Sequence, residues 1–272
     1  MDAMDLDAYF ARIGYTGPRD ASLATLRALH ALHPAAIPFE AIDCLLDRGI
    51  DISPTAVDAK LIHGRRGGYC FEHNSLFTRV LTTLGFEVEG YAARVRWNAP
   101  SGTPAQPRTH HVLKVGAEGQ DWFVDVGFGG CVLTAPLRFA PGEVQVTDHD
   151  SYRLLPIEGG VSLEVRREMG WVPAYDVSLS PCVPRDYEMA NWFTSTHPTS
   201  HFRANLLCAL TTPEARYGLL FNRFTTRPLG GEPTREILDA DGVERVLRET
   251  FGLPVEPAWR PIIERAVNAP AP

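Results

Sequence analysis

The sequence predicts an α+β protein in which helices come first, short strands follow and a mixed segment ends the chain. Up to about residue 86, apolar residues recur every three or four positions, which is the spacing of a buried helix face. From Phe86 onward the apolar residues recur at every second position, which is typical of strands. Several short strands in succession predict a small barrel or a curled sheet.

Helices are predicted in the first part of the chain over residues 5–13, 22–33, 54–62 and 70–84. Pro34 and Pro38 are expected to end the second helix, because proline donates no backbone hydrogen bond. Ser53-Pro54 is a typical start for the third helix. Gly85 is expected to stop the fourth.

Strands and further helices are predicted in the rest of the chain. The predicted strands are 86–97, 110–115, 122–126, 144–146, 152–157, 161–166, 171–176, 205–210 and 219–225. A loop rich in Pro and Gly separates the first two strands over residues 98–107. The helical spacing returns over 243–251 and 259–267, so the chain should end in helices.

Composition and charge exclude several classes of protein. The 272 residues are 44% hydrophobic and 22% charged with a net charge of −7, which is typical of a globular protein. No long basic cluster supports nucleic-acid binding, and no apolar run reaches the length of a membrane span. The start of the chain, residues 1–5, is acidic and has no apolar signal core. Five scattered cysteines without a Cys-x-x-Cys pair argue against disulfides and structural zinc, so we expect a cytoplasmic protein.

Cys70 is the first candidate for a catalytic residue. It follows Gly67-Gly68 and stands where the fourth predicted helix begins. Backbone N–H groups and the positive dipole end at a helix N-terminus favour a thiolate there. A buried cysteine that packs as a small apolar residue fits the same stretch equally well.

A nucleophilic cysteine needs a base and a third group that orients the base. His73 lies one helical turn beyond Cys70 and is one candidate for the base. His110 and His111 are others, and because they are neighbours on a strand only one of them can face the cysteine. Asp125 stands inside the apolar strand 122–126, where an unpaired carboxylate is costly, so we expect it to have a partner. An alternative role for Asp125 is to cap the glycine turn that follows it.

Motifs spread over most of the chain resemble those of the arylamine N-acetyltransferases. They are Arg66-Gly-Gly-Tyr-Cys-Phe-Glu-His-Asn74, Thr109-His110, Val124-Asp-Val-Gly-Phe-Gly-Gly130, the early Ile37-Pro-Phe-Glu40 and the later segment 191–205. Any one of these motifs alone would be weak, but their joint occurrence in this order is specific. The resemblance is weakest before residue 20 and after residue 230.

The resemblance implies a three-part fold with a core like that of papain-type cysteine enzymes. Its parts are an N-terminal helical bundle over 1–86, a central β-barrel over 87–190 and a C-terminal α/β lid over 191–272. It implies a catalytic triad in which Cys70 is the nucleophile, His110 the base and Asp125 the orienting group, with His111 facing away. It also implies an ion pair between Arg66 and Glu40.

The resemblance further implies a set of ligand contacts. Those expected to contact the CoA thioester are Thr109, Gly127, Gly129, Gly130 and Phe202. Those expected to form an apolar acceptor pocket are Phe39, Val95 and Phe128. His73 and the four remaining cysteines are expected to be structural.

The implied function is acetyl transfer from acetyl-CoA to an arylamine, arylhydrazine or hydrazide through an acetyl-cysteine, which gives ping-pong kinetics. Acetyl-CoA is then a co-substrate, and no metal or permanently bound cofactor is expected. The Cys70 N–H is expected to stabilise the oxyanion together with a second, unnamed donor. Two alternatives use the same triad: an amide synthase that releases a polyketide chain, and a cysteine hydrolase. The sequence allows a homodimer and leaves the oligomeric state open.

Overall fold

Helices dominate the first third of the chain in the computed structural model, which describes residues 4–100 and 102–269. They are α1 (Leu6–Ile13), α2 (Leu23–Ala36), α3 (Ile42–Leu45), α4 (Pro54–Val57) and α5 (Cys70–Thr83). A two-residue strand, β1 (Phe39–Glu40), lies between α2 and α3, and a π-helical turn, Asp58–His63, follows α4. The predicted helical region is therefore confirmed, and the apolar faces of α1, α2 and α5 share one buried core.

The helix ends follow from local side chains. The Asp5 carboxylate accepts a hydrogen bond from the N–H of Ala8 at 2.9 Å, and Ser22 accepts one from Thr25 at 3.2 Å. The prediction that Pro34 ends α2 is wrong, because the helix continues to Ala36. Pro34 lies in the last turn, where its missing N–H costs only one helical hydrogen bond.

The middle of the chain forms an antiparallel sheet of eight strands that curls into a nearly closed barrel. Its strands are β2 (Glu87–Val95), β3 (His110–Ala117), β4 (Gln120–Val124), β5 (Leu137–Arg138), β6 (Val144–Val146), β7 (Ser151–Ile157), β8 (Gly160–Arg167) and β9 (Gly170–Ser178). The strand order is β5-β4-β3-β2-β9-β8-β7-β6. The side chain of Gln145 in β6 bonds the backbone N–H and C=O of Arg138 in β5, at 2.6 and 2.9 Å, and so links the two edge strands.

The last part of the chain forms a second antiparallel sheet, the lid sheet. Its strands, in order, are β1, β10 (Leu207–Thr211), β11 (Ala215–Leu220), β12 (Arg223–Pro228) and β13 (Thr234–Ile237). Helices α7 (Ala240–Glu249) and α8 (Arg260–Val267) cover one face and share a buried core with it. The lid sheet thus takes one edge strand from the helical part of the chain.

Two predictions in this last part need correction. The single strand predicted over 219–225 is instead a hairpin, since β11 ends at Leu220 and β12 begins at Arg223. The apolar residue Phe221 lies in the turn of this hairpin, where its backbone takes the left-handed conformation with φ of 55°. The pattern also missed α6 (Pro184–Thr196), a helix with an exposed apolar side that runs through the predicted boundary at 190/191.

Within residues 4–100 and 102–269, no helix has both the length and the apolar composition needed to cross a membrane.

Candidate active site

The start of α5 is held against β1 by two glycines in the preceding loop. A Cβ at Gly67 would lie 2.1 Å from the carbonyl oxygen of Pro38, and a Cβ at Gly68 would lie 2.8 Å from Glu72 Oε2. The N–H of Glu40 donates to the carbonyl of Gly68 at 2.8 Å. These glycines are therefore required for close packing, while the left-handed backbone conformation in this loop belongs to Arg65, with φ of 50°.

Buried ion pairs also hold the loop that precedes α5. Arg66 contacts Glu40 at 2.8 Å, as predicted, and Asp43 at 3.1 Å. Lys60 bridges Asp43 at 2.8 Å and Glu72 at 2.7 Å. Because all of these side chains are mostly buried, each charge needs its partner. This network of ion pairs joins the loop before α5 to α3 and to the π-helical turn.

Cys70, His110 and Asp125 come together at the contact of α5 with β3 and the end of β4. His110 Nε2 lies 2.7 Å from Asp125 Oδ2, and both residues are buried. The Cys70 thiol lies 3.6 Å from the carbonyl oxygen of Thr109, the residue before His110, and Cys70 is close enough to His110 to help raise the pKa of its ring. Because Asp125 holds Nε2, Nδ1 is the ring nitrogen of His110 that stays available to other groups. His111 lies on the other side of β3, where its ring is tilted against that of Tyr187 with 4.0 Å between the ring centroids.

Asp125 has further hydrogen-bond partners besides His110. The hydroxyl of Tyr175 donates to Oδ2 at 2.7 Å, and the Asn74 amide donates to Oδ1 at 2.9 Å. The N–H of Gly127 also donates to Oδ1 at 2.9 Å. Burial raises the pKa of Asp125, but the charge of His110 and these hydrogen bonds outweigh burial and hold it below its usual range. Asp125 is therefore a fixed anion.

The charge of Asp125 controls His110. Burial lowers the pKa of the imidazole, but the charge of Asp125 and its hydrogen bond, with a smaller contribution from Cys70, outweigh burial and raise the pKa of His110 to about 10. At neutral pH the ring is therefore an imidazolium, and Cys70 faces a cation. This arrangement places a positive charge beside the sulfur that would attack a substrate.

The other cysteines lack such surroundings. Burial raises the pKa of Cys44 to about 12 and that of Cys131 to about 11, and it raises the pKa of Cys208 as well. Cys182 is half-buried, and burial raises the pKa of its thiol too. These thiols stay protonated at neutral pH, so Cys70 alone is placed for nucleophilic chemistry among the five.

A chain of buried histidines lies behind the triad. His33 Nε2 lies 2.8 Å from His73 Nδ1, and the hydroxyl of Tyr9 lies 2.9 Å from His33 Nδ1. His30 accepts a hydrogen bond from the N–H of Asp125 at 3.4 Å. His73 thus belongs to the supporting core, in keeping with the structural role expected for it.

These histidines predict a loss of stability in acid. Burial lowers the pKa of His30 and of His73 to about 4 and that of His111 to about 3. The unfolded value is about 6.5, so between about pH 4 and 6.5 the unfolded chain binds protons that the folded chain excludes. The free energy of unfolding should fall by up to about 1.4 kcal/mol per pH unit for each histidine as the pH falls through this window. Urea unfolding at pH 7, 6 and 5 measures this slope.

His110 changes the free energy of unfolding in the opposite direction, because its pKa is higher in the folded protein than in the unfolded chain. Its stabilising contribution is complete below about pH 6.5 and is lost as the pH rises towards 10.

His111→Phe keeps a ring against Tyr187 but removes one titrating group, so it should flatten the acid slope by about 1.4 kcal/mol per pH unit. An unchanged slope in this variant would contradict the assignment.

Gly127 packs directly on the catalytic helix. A Cβ at this position would lie 2.9 Å from Cys70 Cα and 3.0 Å from Asn74 Nδ2. We expect Gly127→Ala to push α5 away from the triad, to reduce kcat/KM by about 100-fold and to destabilise the protein by about 1–3 kcal/mol. Gly116→Ala in β3 is the matched control, because a Cβ there would make only ordinary contacts, the nearest at 3.5 Å from Glu87. Equal activity in the two variants would show that the contact is unimportant.

The remaining predicted site residues differ in how closely they approach the triad. The carbonyl oxygen of Thr109 lies 3.6 Å from Cys70 Sγ. Phe128 packs edge-on against the His110 ring at 4.9 Å. Val95 ends β2, where it pairs with Tyr175.

Phe39 and Phe202 form an apolar wall with their ring centroids 6.1 Å apart. Gly129, with φ of +68°, turns the chain beside Phe39, and Gly130 is exposed. Phe202 and Gly129 thus both lie beside Phe39. The contacts of these residues with ligands stay predictions.

Asn74 and Tyr175 both donate hydrogen bonds to Asp125, and neither residue is predicted from the sequence to have this role. Asn74 donates to Asp125 and to the carbonyl of His111, and its oxygen accepts the N–H of Val126 at 3.1 Å. Its position four residues after Cys70 places it on the same helix face, a signal that was available. Tyr175 comes from β9, and no local pattern connects it to Asp125.

Comparison with known sequences extends the motif resemblance to most of the chain. The family model described as N-acetyltransferase matches residues 22–260. An arylamine N-acetyltransferase of Mycobacterium tuberculosis is 41% identical over 256 residues, which are 93% of this chain and 90% of the relative. One from Escherichia coli is 40% identical over 93% of this chain and 90% of its own length.

Solved structures agree with the sequence comparison. The arylamine N-acetyltransferase of Mycobacterium smegmatis superposes with a TM-score of 0.93 at 37% identity, over 98% of this chain and all of the other. A Mycobacterium marinum arylamine N-acetyltransferase in complex with CoA gives a TM-score of 0.92 at 38% identity, over 97% and 98% of the two chains. With the three-part fold and the Cys70–His110–Asp125 arrangement, these matches lead to one conclusion: this chain belongs to the arylamine N-acetyltransferase family.

Proposed function

We infer that this protein transfers the acetyl group of acetyl-CoA to aromatic amines, arylhydrazines or hydrazides. The observation that carries this inference is the buried arrangement of Cys70, His110 and Asp125 in a chain that matches arylamine N-acetyltransferases over nearly its whole length. Acetyl-CoA is the co-substrate, in agreement with the CoA complex of the related mycobacterial protein.

The first half of the reaction loads the enzyme. Cys70 Sγ attacks the thioester carbonyl carbon while His110, as an imidazolium, stands beside it. The first N–H groups of α5, beginning with that of Cys70, have no carbonyl to bond within the helix and are available to the developing oxyanion. The carbon–sulfur bond to CoA then breaks, and CoA leaves after it receives a proton from His110. Cys70 keeps the acetyl group as a thioester.

The second half passes the acetyl group to the acceptor. The amine nitrogen attacks the acetyl-cysteine carbonyl while neutral His110 removes a proton from it. A carbon–nitrogen bond forms, the bond to Cys70 Sγ breaks, and the thiolate–imidazolium pair is restored. Since each half uses the same residues in turn, the kinetics are ping-pong.

The contacts with the two substrates are part of the proposal. The apolar acceptor pocket is formed by Phe39, Val95 and Phe128, and its support is that Phe128 packs on His110 while Phe39 and Phe202 form the apolar wall. The contacts with CoA are proposed for Thr109, Gly127, Gly129, Gly130 and Phe202. We also propose the cytoplasm as the compartment, since the five cysteines are unpaired. The homodimer stays a prediction that sedimentation can test.

Intact-protein mass spectrometry tests the proposed function. After brief incubation with acetyl-CoA we expect a single acetyl adduct, which an arylamine or hydrazine clears within one turnover. An adduct that water clears as fast as the amine does would favour the hydrolase. The absence of an adduct would contradict transfer from acetyl-CoA and favour a larger acyl donor, as in an amide synthase.

A further inference from the structure

Helix α6 contributes no member of the triad, but it contacts residues that flank two of its members. The ring of Tyr187 in α6 lies 6.4 Å, between centroids, from that of Phe71, the residue after Cys70. The same ring lies 4.0 Å from that of His111, the residue after His110. One side chain of α6 therefore packs both on the helix that carries the nucleophile and on the strand that carries the base.

A second side chain of α6, that of Asn191, holds the residue before Cys70. Asn191 lies four positions after Tyr187 and so shares its helix face. The hydroxyl of Tyr69 donates to Asn191 Oδ1 and also lies 3.4 Å from the backbone carbonyl oxygen of Asn191. Asn191 Nδ2 donates to the carbonyl oxygen of Ile50 at 2.8 Å. Because that carbonyl can only accept, a single orientation of the Asn191 amide satisfies both partners.

The backbone of Tyr69 organises the first turn of α5. Its carbonyl oxygen accepts the N–H groups of Glu72 and His73, each at 3.0 Å, and its own N–H donates to Glu72 Oε2 at 3.0 Å. Within the described part of the chain, the N–H groups of Cys70 and Phe71 have no hydrogen-bond partner, so they are free to bond a substrate oxygen. A displacement of Tyr69 would therefore move the attacking sulfur and these two donors together.

The side chain of Tyr69 is fully buried, so its hydroxyl depends on the partner that α6 provides. Burial raises the pKa of Tyr69, and the hydroxyl therefore keeps its proton and donates it to Asn191. The ring packs edge-on against those of Phe71 and Phe202, with 5.5 Å between centroids in each pair. These rings restrict sideways movement of Tyr69, whereas the directional hydrogen bond with Asn191 fixes its distance from α6.

We propose that Asn191 is a positioning residue for acetyl transfer: through the hydroxyl of Tyr69 it sets the place of Cys70 relative to His110. This inference rests on the proposed function. Since α6 also packs on the strand of His110, one helix spans the two catalytic elements and can fix the distance between them. Attack depends steeply on this alignment, and a displacement of about 1 Å can lower the rate about 100-fold.

First-turnover kinetics with acetyl-CoA and with p-nitrophenyl acetate test the proposal. Tyr69→Phe removes the donor of the hydrogen bond, and Asn191→Leu removes the acceptor at a similar side-chain volume. We expect each variant to lower the maximal rate constant of Cys70 acetylation about tenfold with either donor, and to change the half-saturating concentration of acetyl-CoA less than about twofold. Tyr15→Phe is the matched control, because it also removes a buried hydroxyl, which donates to the carbonyl of Pro18 at 2.7 Å, and it should leave the rate constant unchanged.

The double variant Tyr69→Phe/Asn191→Leu separates positioning from stability. Each single variant leaves a buried polar group without its partner and should lower the midpoint of thermal unfolding. The double variant removes both members of the hydrogen bond and should regain most of that midpoint. Its rate constant should nevertheless stay about tenfold low, as in each single variant, because the bond that positions Tyr69 is still absent.

Three results would overturn the proposal. A rate constant that recovers together with the unfolding midpoint in the double variant would show that the bond only stabilises the fold. A loss of about 100-fold in the double variant would show that the two side chains act independently. An unchanged rate constant in Tyr69→Phe would show that the bond has no effect on attack. If the unmodified protein is acetylated by p-nitrophenyl acetate but not by acetyl-CoA, the proposed function fails, and the measurements with p-nitrophenyl acetate still decide the role of Asn191.

Discussion

Cys70→Ala is expected to abolish both the acetyl adduct and acetyl transfer. The variant keeps His110 and Asp125 in place but has no sulfur to attack the thioester, so no covalent intermediate can form. We expect kcat/KM to fall by about 10⁴-fold or more, because the members of a triad act as a unit. Intact mass after incubation with acetyl-CoA and the rate of arylamine acetylation measure the two losses.

Cys182→Ala is the matched control for this experiment. Cys182 is half-buried and lies away from His110 and Asp125, and its thiol is held protonated by burial. The control should acquire the same adduct as the unmodified protein, at a rate within about twofold. An adduct on the Cys70→Ala variant, or its loss from Cys182→Ala, would show that Cys70 is not the nucleophile.

Asp125→Asn is expected to have the second largest effect. The amide removes the negative charge that raises the pKa of His110 to about 10. Burial then dominates and lowers the pKa of His110, so the imidazolium beside Cys70 is lost at neutral pH. We expect kcat/KM to fall by about 10³–10⁴-fold, and the remaining activity to depend on pH differently from that of the unmodified protein. A pH–rate profile with acetyl-CoA and an arylamine checks both expectations.

Tyr175→Phe separates the charge of Asp125 from its hydrogen bonding. It removes the 2.7 Å hydrogen bond to Oδ2 but keeps the carboxylate and the aromatic ring. We expect a loss of less than about tenfold, since one neutral donor contributes about 0.5–1.5 kcal/mol. If Asp125→Asn is folded and loses no more activity than Tyr175→Phe, the role assigned to the charge is wrong.

The sequence predicted the order of helices, barrel strands and mixed tail because these features are written in local patterns. The helical spacing in α5 and the alternation of apolar residues in β3 and β4 depend only on residues that are close in the sequence. This helix and these two strands are present where they were predicted. The errors arose where the local signal was weak. Pro34 lies in the last turn of α2, and the apolar Phe221 masked a hairpin turn.

The sequence by itself also singled out Cys70, His110 and Asp125, since a glycine loop before a helix and an acid in an apolar strand are unusual enough to require an explanation. Their contact was decided by the tertiary structure. Cys70 and Asp125 are 55 positions apart, by subtraction of their residue numbers, and packing of α5 on β3 brings them together.

Only the tertiary structure could reveal the role of Tyr175. Tyr175 reaches Asp125 because β9 pairs with β2, two strands away from β4, as the barrel curls. Local spacing determines which residues share a face of a helix or strand. A site built from several elements depends instead on how those elements pack. Because burying an unpaired charge is costly, the packing must also bring each buried charge together with its partner.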